Sequence, residues 1–121
     1  MSSAAIWLLR ASSGLLGLAL LVQAFTAGMA AIADPEWWQS HVAWVHTFQW
    51  LVVMVPVGAA AAPVARRAKW ASVTPLLLMG LQYVLAHRAI EGSFPIGFGL
   101  HAANALLLFG ITMYLLQSTL P

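Results

Sequence analysis

The chain has 121 residues, 62% of them hydrophobic and 7% charged, and five Lys and Arg against three Asp and Glu give a formal net charge of +2. This is too apolar for the surface of a soluble domain, and it reads as one all-α integral membrane domain over residues 1–121. A charge carried by so few groups speaks to membrane topology rather than to nucleic acid. With no cysteine, disulfides, thiolate zinc sites, cysteine-ligated iron–sulfur clusters and covalent c-type haem attachment are excluded, and histidine is left as the transition-metal ligand.

The first apolar run covers residues 6–33, long enough to span a bilayer with some tilt. Ala31-Ile32-Ala33 resembles a signal-peptidase site, but the run is too long for a usual signal-peptide core and is read as a helix. Arg10 is placed to snorkel to the near interface. Ser13, Gly14 and Gly17 allow close helix approach, and Gln23 is an amide that needs a partner at membrane depth.

Asp34-Pro35-Glu36 opens the second helix, with aspartate as N-cap, proline in the first turn and glutamate complementing the dipole. Trp37 and Trp38 suit an interfacial aromatic belt. The helix is predicted over 35–62, through His41, Trp44, His46 and Gln49, with a kink at Pro56 and a thin packing face at Gly58. Arg66, Arg67 and Lys69 form the one basic cluster, which the positive-inside rule places in the cytoplasm.

The third helix is predicted over 68–90, carrying Gln82 and His87 and ending at Arg88 and Glu91. Ser93-Phe94-Pro95 reads as a cap and first turn for a fourth helix over 95–117, which carries His101 and Asn104. The expected architecture is an up-down-up-down four-transmembrane-helix bundle in the inner (cytoplasmic) membrane. Both termini then lie in the cytoplasm, the loops near 34 and 91 lie outside, and helices two and four sit on a diagonal.

Two hairpins echo each other along this chain. Pro35 and Pro95 each lie six residues before a histidine, His41 and His101. Gln23 lies eighteen residues before His41, and Gln82 nineteen before His101. The echo predicts a pseudo-two-fold repeat of helical hairpins about the membrane normal. Each histidine is roughly 9 Å below its helix start at 1.5 Å per residue, so the two share a level. An ionisable group at that depth is a functional candidate by default.

Two imidazoles facing across a bundle suit a planar metal cofactor with two open axial positions, and haem iron held by His41 and His101 is the leading reading. Gly28, Gly97, Gly99, Ala102 and Ala103 are candidate thin walls for it. His46, about 140° round the helix and roughly 7.5 Å deeper than His41, cannot face the same iron. It is the alternative ligand, or else a polar contact for Gln49 or Gln82. His87 and Arg88 are candidates to hold haem propionates, against the plainer reading of an interfacial histidine and a snorkelling arginine. Asn104, Gln23 and Gln82 are candidates for hydrogen bonds to the ligand edge or a neighbouring helix.

The pattern of Gln23 to Gly28, His41, Leu81-Gln82 and Leu100-His101-Ala102-Ala103-Asn104-Ala105 resembles small four-helix membrane domains that share it with one half of haem A synthase. The resemblance covers nearly the whole chain through short motifs. It implies b-type haem (haem b) held by histidines of the second and fourth helices, which are His41 or His46 and His101 here. The chain lacks the glutamate beside the second-helix histidine and the paired cysteines of that family. Electron transfer or haem storage is therefore expected rather than catalysis on haem, with a quinone or a larger respiratory membrane complex as partner. The competing readings are a haem-free accessory subunit and, third, a small transporter. The latter lacks an intramembrane carboxylate, since Asp34, Glu36 and Glu91 all fall at helix ends.

Overall fold

The computed structural model describes residues 2–120, and all regular structure among them is helical. Six segments follow in order: α1 (Ser2–Ile32), α2 (Trp37–Phe48), α3 (Leu51–Ala61), α4 (Arg66–Ala71), α5 (Thr74–Ile90) and α6 (Gly97–Gln117). Counting α2 with α3 and α4 with α5, they make four helices long and apolar enough to cross a membrane.

The second and third long helices run through, Trp37–Ala61 and Arg66–Ile90, each with a local break in its hydrogen-bond ladder on the N-terminal side of a proline; in the second a kink at Pro56 is the expectation. Pro56 has no N–H and its ring crowds the carbonyl four residues back, that of Val52. On the N-terminal side the backbone tightens, with Val52 N–H reaching Gln49 (3.3 Å) and Val53 N–H reaching Trp50 (3.1 Å). The break falls at Gln49–Trp50, one turn further from Pro56 than a simple kink. Pro75 acts likewise at the start of α5. Val73 N–H bonds Trp70 (3.3 Å), and the Ser72 hydroxyl donates to the Lys69 carbonyl (2.6 Å) to cover the interruption. The third helix begins at Arg66 rather than residue 68.

Asp34 makes the expected N-cap bond, its carboxylate accepting from the Glu36 N–H (2.9 Å) two residues on, and the regular helix follows from Trp37. The other loop differs from expectation. Ser93 does not cap α6. Its hydroxyl donates back to the Arg88 carbonyl (3.1 Å) and helps close α5, where Gly92 adopts φ +76°. That left-handed conformation carries no Cβ penalty for glycine.

Packing is centred on α1, which lies against α2, α3 and α6, while α5 pairs with α6 and touches α3 more sparsely. Gly58 sets the tightest crossing: a Cβ there would lie 2.7 Å from Leu9 N and 2.9 Å from Leu9 Cα. Gly17 is matched by the Met113 side chain. Leu9, Leu16, Val52, Val55, Leu108 and Leu115 fill the interior. Arg10 does more than snorkel. Its guanidinium stacks on Trp7 (4.7 Å) and donates to the Thr119 hydroxyl (3.3 Å) and carbonyl, tying the start of α1 to the end of α6. The outside of the bundle is apolar, with Ile32, Ile90 and Leu106 each at least 75% exposed. So much exposed hydrocarbon is unusual for a soluble monomer.

Candidate functional site: a two-histidine centre

His41 on α2 and His101 on α6 face each other with ring centres 6.4 Å apart and planes inclined at 58°. Both rings are partly buried. Each is held by a carbonyl from the helix before it. His41 Nδ1 lies 3.1 Å from the Gln23 carbonyl, and His101 Nδ1 lies 3.1 Å from the Gln82 carbonyl. A carbonyl only accepts, so each Nδ1 carries the proton and each Nε2 keeps its lone pair. This is how metal-binding imidazoles are commonly oriented, with the distal nitrogen held by a backbone oxygen.

The echo extends beyond the residues that revealed it. Three residues after His41, Trp44 Nε1 donates to the Ala19 carbonyl (2.9 Å), four residues before Gln23. Three residues after His101, Asn104 Nδ2 donates to the Leu78 carbonyl (2.9 Å), four residues before Gln82. Each hairpin is thus laced twice at the same offsets, once by histidine and once by the residue a turn below it. Sequence reasoning gave Trp44 no role, because indole and amide look unrelated. The recoverable signal was position: both follow their histidine by three residues and both carry an N–H donor.

The remaining polar groups complete or leave this centre. Asn104 is buried and also donates to Gln82 Oε1 (2.9 Å), so it braces the residue whose carbonyl orients His101. Gln23 Nε2 donates to His41 Nε2 (2.9 Å), and the Thr26 hydroxyl donates to the Gln23 carbonyl (2.9 Å). Two buried acceptors, Gln23 Oε1 and Asn104 Oδ1, have no partner. Trp38 stands edge-on to His41 at 5.3 Å.

His46 is not part of this centre. It is exposed, with its ring 6.1 Å from that of Tyr83 and its Nδ1 3.4 Å from Gln49 Nε2. Gln82, which shares its level by counting, turns to Asn104 instead. His87 is exposed and its Nδ1 donates to the Tyr83 carbonyl (2.9 Å). Arg88 pairs with Glu91 at 3.6 Å, so the expected cationic rim is neutralised by its own helix. Gly97 is no thin wall: a Cβ there would meet the Leu85 carbonyl at 2.8 Å, and it serves the α5–α6 contact. Gly28 and Gly99 have open space beside them, but both lie exposed on the outside of the bundle and wall no cavity.

Fold and site define a class: an all-α chain of four long apolar helices with a symmetric imidazole pair between two hairpins. The profile of a family of unknown function, DUF6220, matches residues 23–90, more than half of the chain, and the chain belongs to that family. No curated protein and no solved structure matches it.

Proposed function

We propose that the chain is a multi-pass membrane protein that binds b-type haem between His41 and His101 and passes single electrons. The observation that carries this reading is the spacing of the two rings. Two imidazoles on opposite sides of one metal, with bonds of about 2 Å, have ring centres roughly 6 Å apart, and the observed separation is 6.4 Å. The donor set fits in part: both Nδ1 atoms are held by carbonyls, the Nε2 lone pair of His101 is kept for a metal, and that of His41 accepts from Gln23 Nε2, which would have to turn aside for a metal to bind.

When bound, the haem supplies a one-electron couple. Gln23 and Gln82 orient the rings, Asn104 braces Gln82, and Trp38 shields one side of His41. In the bilayer the repeat becomes a pseudo-two-fold axis along the membrane normal. Arg66, Arg67 and Lys69 face the cytoplasm and the histidine pair lies toward the outer leaflet.

A second reading is favoured by one contact. Both ring nitrogens of His41 already have protein partners, Gln23 Nε2 on one side and the Gln23 carbonyl on the other. A haem-free polar clasp, in an accessory subunit of a larger membrane complex, is built this way. An absorbance titration with haemin in detergent separates the two. Haem binding gives saturation at about one equivalent, weakened more than about 100-fold by either His41→Ala or His101→Ala. Absence of saturation, or binding indifferent to both substitutions, supports the clasp.

A further inference from the structure

The two ends of the bundle are charged differently. Arg10, Arg66, Arg67 and Lys69, four of the five Lys and Arg side chains, stand where α1 begins and α6 finishes. Asp34, Glu36 and Glu91 all stand at the opposite end. That end is roughly 35 Å away along the helix from Arg67 to Ile90, at 1.5 Å per residue. Two of the four cations are committed within the chain. Arg10 donates to Thr119, and Lys69 Nζ donates to the Ala60 carbonyl (3.0 Å). Among the described residues the one ion pair is Arg88 with Glu91, so Arg66 and Arg67 have no carboxylate partner there.

Arg67 borders a cavity of about 280 Å³ between α4 and the last turn of α6, lined also by Ala65, Ala68, Tyr114, Gln117 and Ser118. Its hydrogen-bonding inventory is one-sided. The carbonyls that end α6 are already used. That of Tyr114 accepts from Ser118 N–H (3.0 Å), and that of Leu115 from the Ser118 hydroxyl (2.7 Å). The Leu116 carbonyl accepts from Thr119 N–H (3.1 Å) and the Gln117 carbonyl from Leu120 N–H (3.0 Å). The Arg67 guanidinium, the Tyr114 hydroxyl and the Gln117 amide bond to none of the described residues. A guanidinium is a donor only. The cavity therefore offers free donors in a positive field, and its complement is an acceptor that carries negative charge.

The surroundings narrow the source of that anion. Trp70, one turn beyond Arg67, is exposed, and so is Leu107, two turns before Tyr114 on the same side of α6. Such residues belong where hydrocarbon gives way to headgroups. Ala103, Leu107, Gly110 and Tyr114 follow one another at helical spacing along one stripe, and Gly110 has open space beside it. That stripe is a track for an acyl chain leading out of the cavity, which a soluble anion would not use. Basic pockets between membrane helices on the cytoplasmic side are suited to acidic lipid headgroups.

We propose that this cavity seats the phosphodiester of an anionic phospholipid of the phosphatidylglycerol type. Arg67 holds the phosphate through two N–H groups, Tyr114 and Gln117 add donors, and one acyl chain lies along Leu107 and Gly110. The proposal rests on the membrane reading above and is independent of haem.

The test is native mass spectrometry of the full chain, without haem, in a neutral detergent. Dioleoylphosphatidylglycerol or dioleoylphosphatidylcholine is titrated in. The expected result is one phosphatidylglycerol retained per chain, about tenfold more tightly than phosphatidylcholine, the size of a hydrogen bond to a charged group. Arg67→Gln should abolish that preference, and Tyr114→Phe should weaken it about threefold. Arg66→Gln and Lys69→Gln should each change it less than about twofold, because neither side chain lines the cavity. All four variants should keep the wild-type circular dichroism and melting temperature. Equal retention of the two lipids overturns the proposal. So do equal losses in Arg66→Gln and Arg67→Gln, which mark a diffuse surface field rather than a site. Displacement of the lipid by equimolar glycerol 1-phosphate makes the occupant a soluble anion and also overturns it. Flotation with phosphatidylcholine liposomes reads the membrane assignment separately. A chain that floats but shows no lipid preference defeats this site alone, and a chain that does not float defeats the membrane reading with it.

Discussion

Replacing Asn104 with alanine tests the lacing of the second hairpin and, through it, the orientation of His101. The native amide makes two interhelical bonds of 2.9 Å each, to the Leu78 carbonyl and to Gln82 Oε1. Such bonds in membrane bundles average about 0.6 kcal/mol and reach about 1.7. The pair is therefore worth about 1–3 kcal/mol. The Leu78 carbonyl sits within α5 and keeps its helical bond, so most of the penalty falls on the partly buried Gln82, whose side-chain oxygen loses its donor. Removal of the unpartnered Asn104 Oδ1 returns a little. The net expectation is about 1–2 kcal/mol, read as a shift of the unfolding midpoint in SDS titrations followed by circular dichroism. Because the tie that holds α6 against α5 one turn below His101 is then weakened, haemin affinity should fall by about tenfold, less than on removing His101 itself. A midpoint unchanged within about 0.3 kcal/mol would refute the lacing, and unchanged haemin affinity would sever Asn104 from the histidine centre.

Further outcomes follow from the same geometry. Gly58→Ala puts a methyl against the backbone of Leu9, which cannot rotate away, and should cost about 1–3 kcal/mol in the same SDS assay. Gly28→Ala, with open space at that position, should be near neutral. Trp44→Phe keeps the ring but loses the bond to Ala19, and should cost about 0.5–1.5 kcal/mol, comparable to loss of one bond in Asn104→Ala. Arg88→Ala breaks an ion pair whose members are 63% and 58% exposed, and should change the midpoint by less than about 0.5 kcal/mol.

Much of the centre was legible because it is a matter of counting. Equal spacing from Pro35 to His41 and from Pro95 to His101 puts two residues at one height on two helices. A glutamine some eighteen residues upstream lies one hairpin back, within reach of each ring. His41 was separable from His46 only by the direction in which α2 turns its face, and that depends on how α2 packs against α1. No periodicity announces that choice in a helix surrounded by apolar residues on every side.

The breaks at Gln49–Trp50 and Ser72–Val73 were half legible. Pro56 and Pro75 announce a disturbance, but not how far the backbone tightens to absorb it. Arg10 and Thr119 stand at opposite ends of the chain, and their contact exists only because α1 and α6 are neighbours. Ser93 illustrates a local ambiguity: a hydroxyl between two helices serves whichever has the nearer open group, and Gly92 folds it back toward α5.

The central claim is that His41 and His101 share one metal between them, and a reduced-minus-oxidised absorbance spectrum of the purified chain tests it most directly. The account predicts the bands of a six-coordinate b-type haem at about one per chain, lost in His41→Ala and in His101→Ala and retained in His46→Ala. A chain that stays colourless when haem is supplied, or bands that survive loss of His41 and disappear with His46, would contradict it.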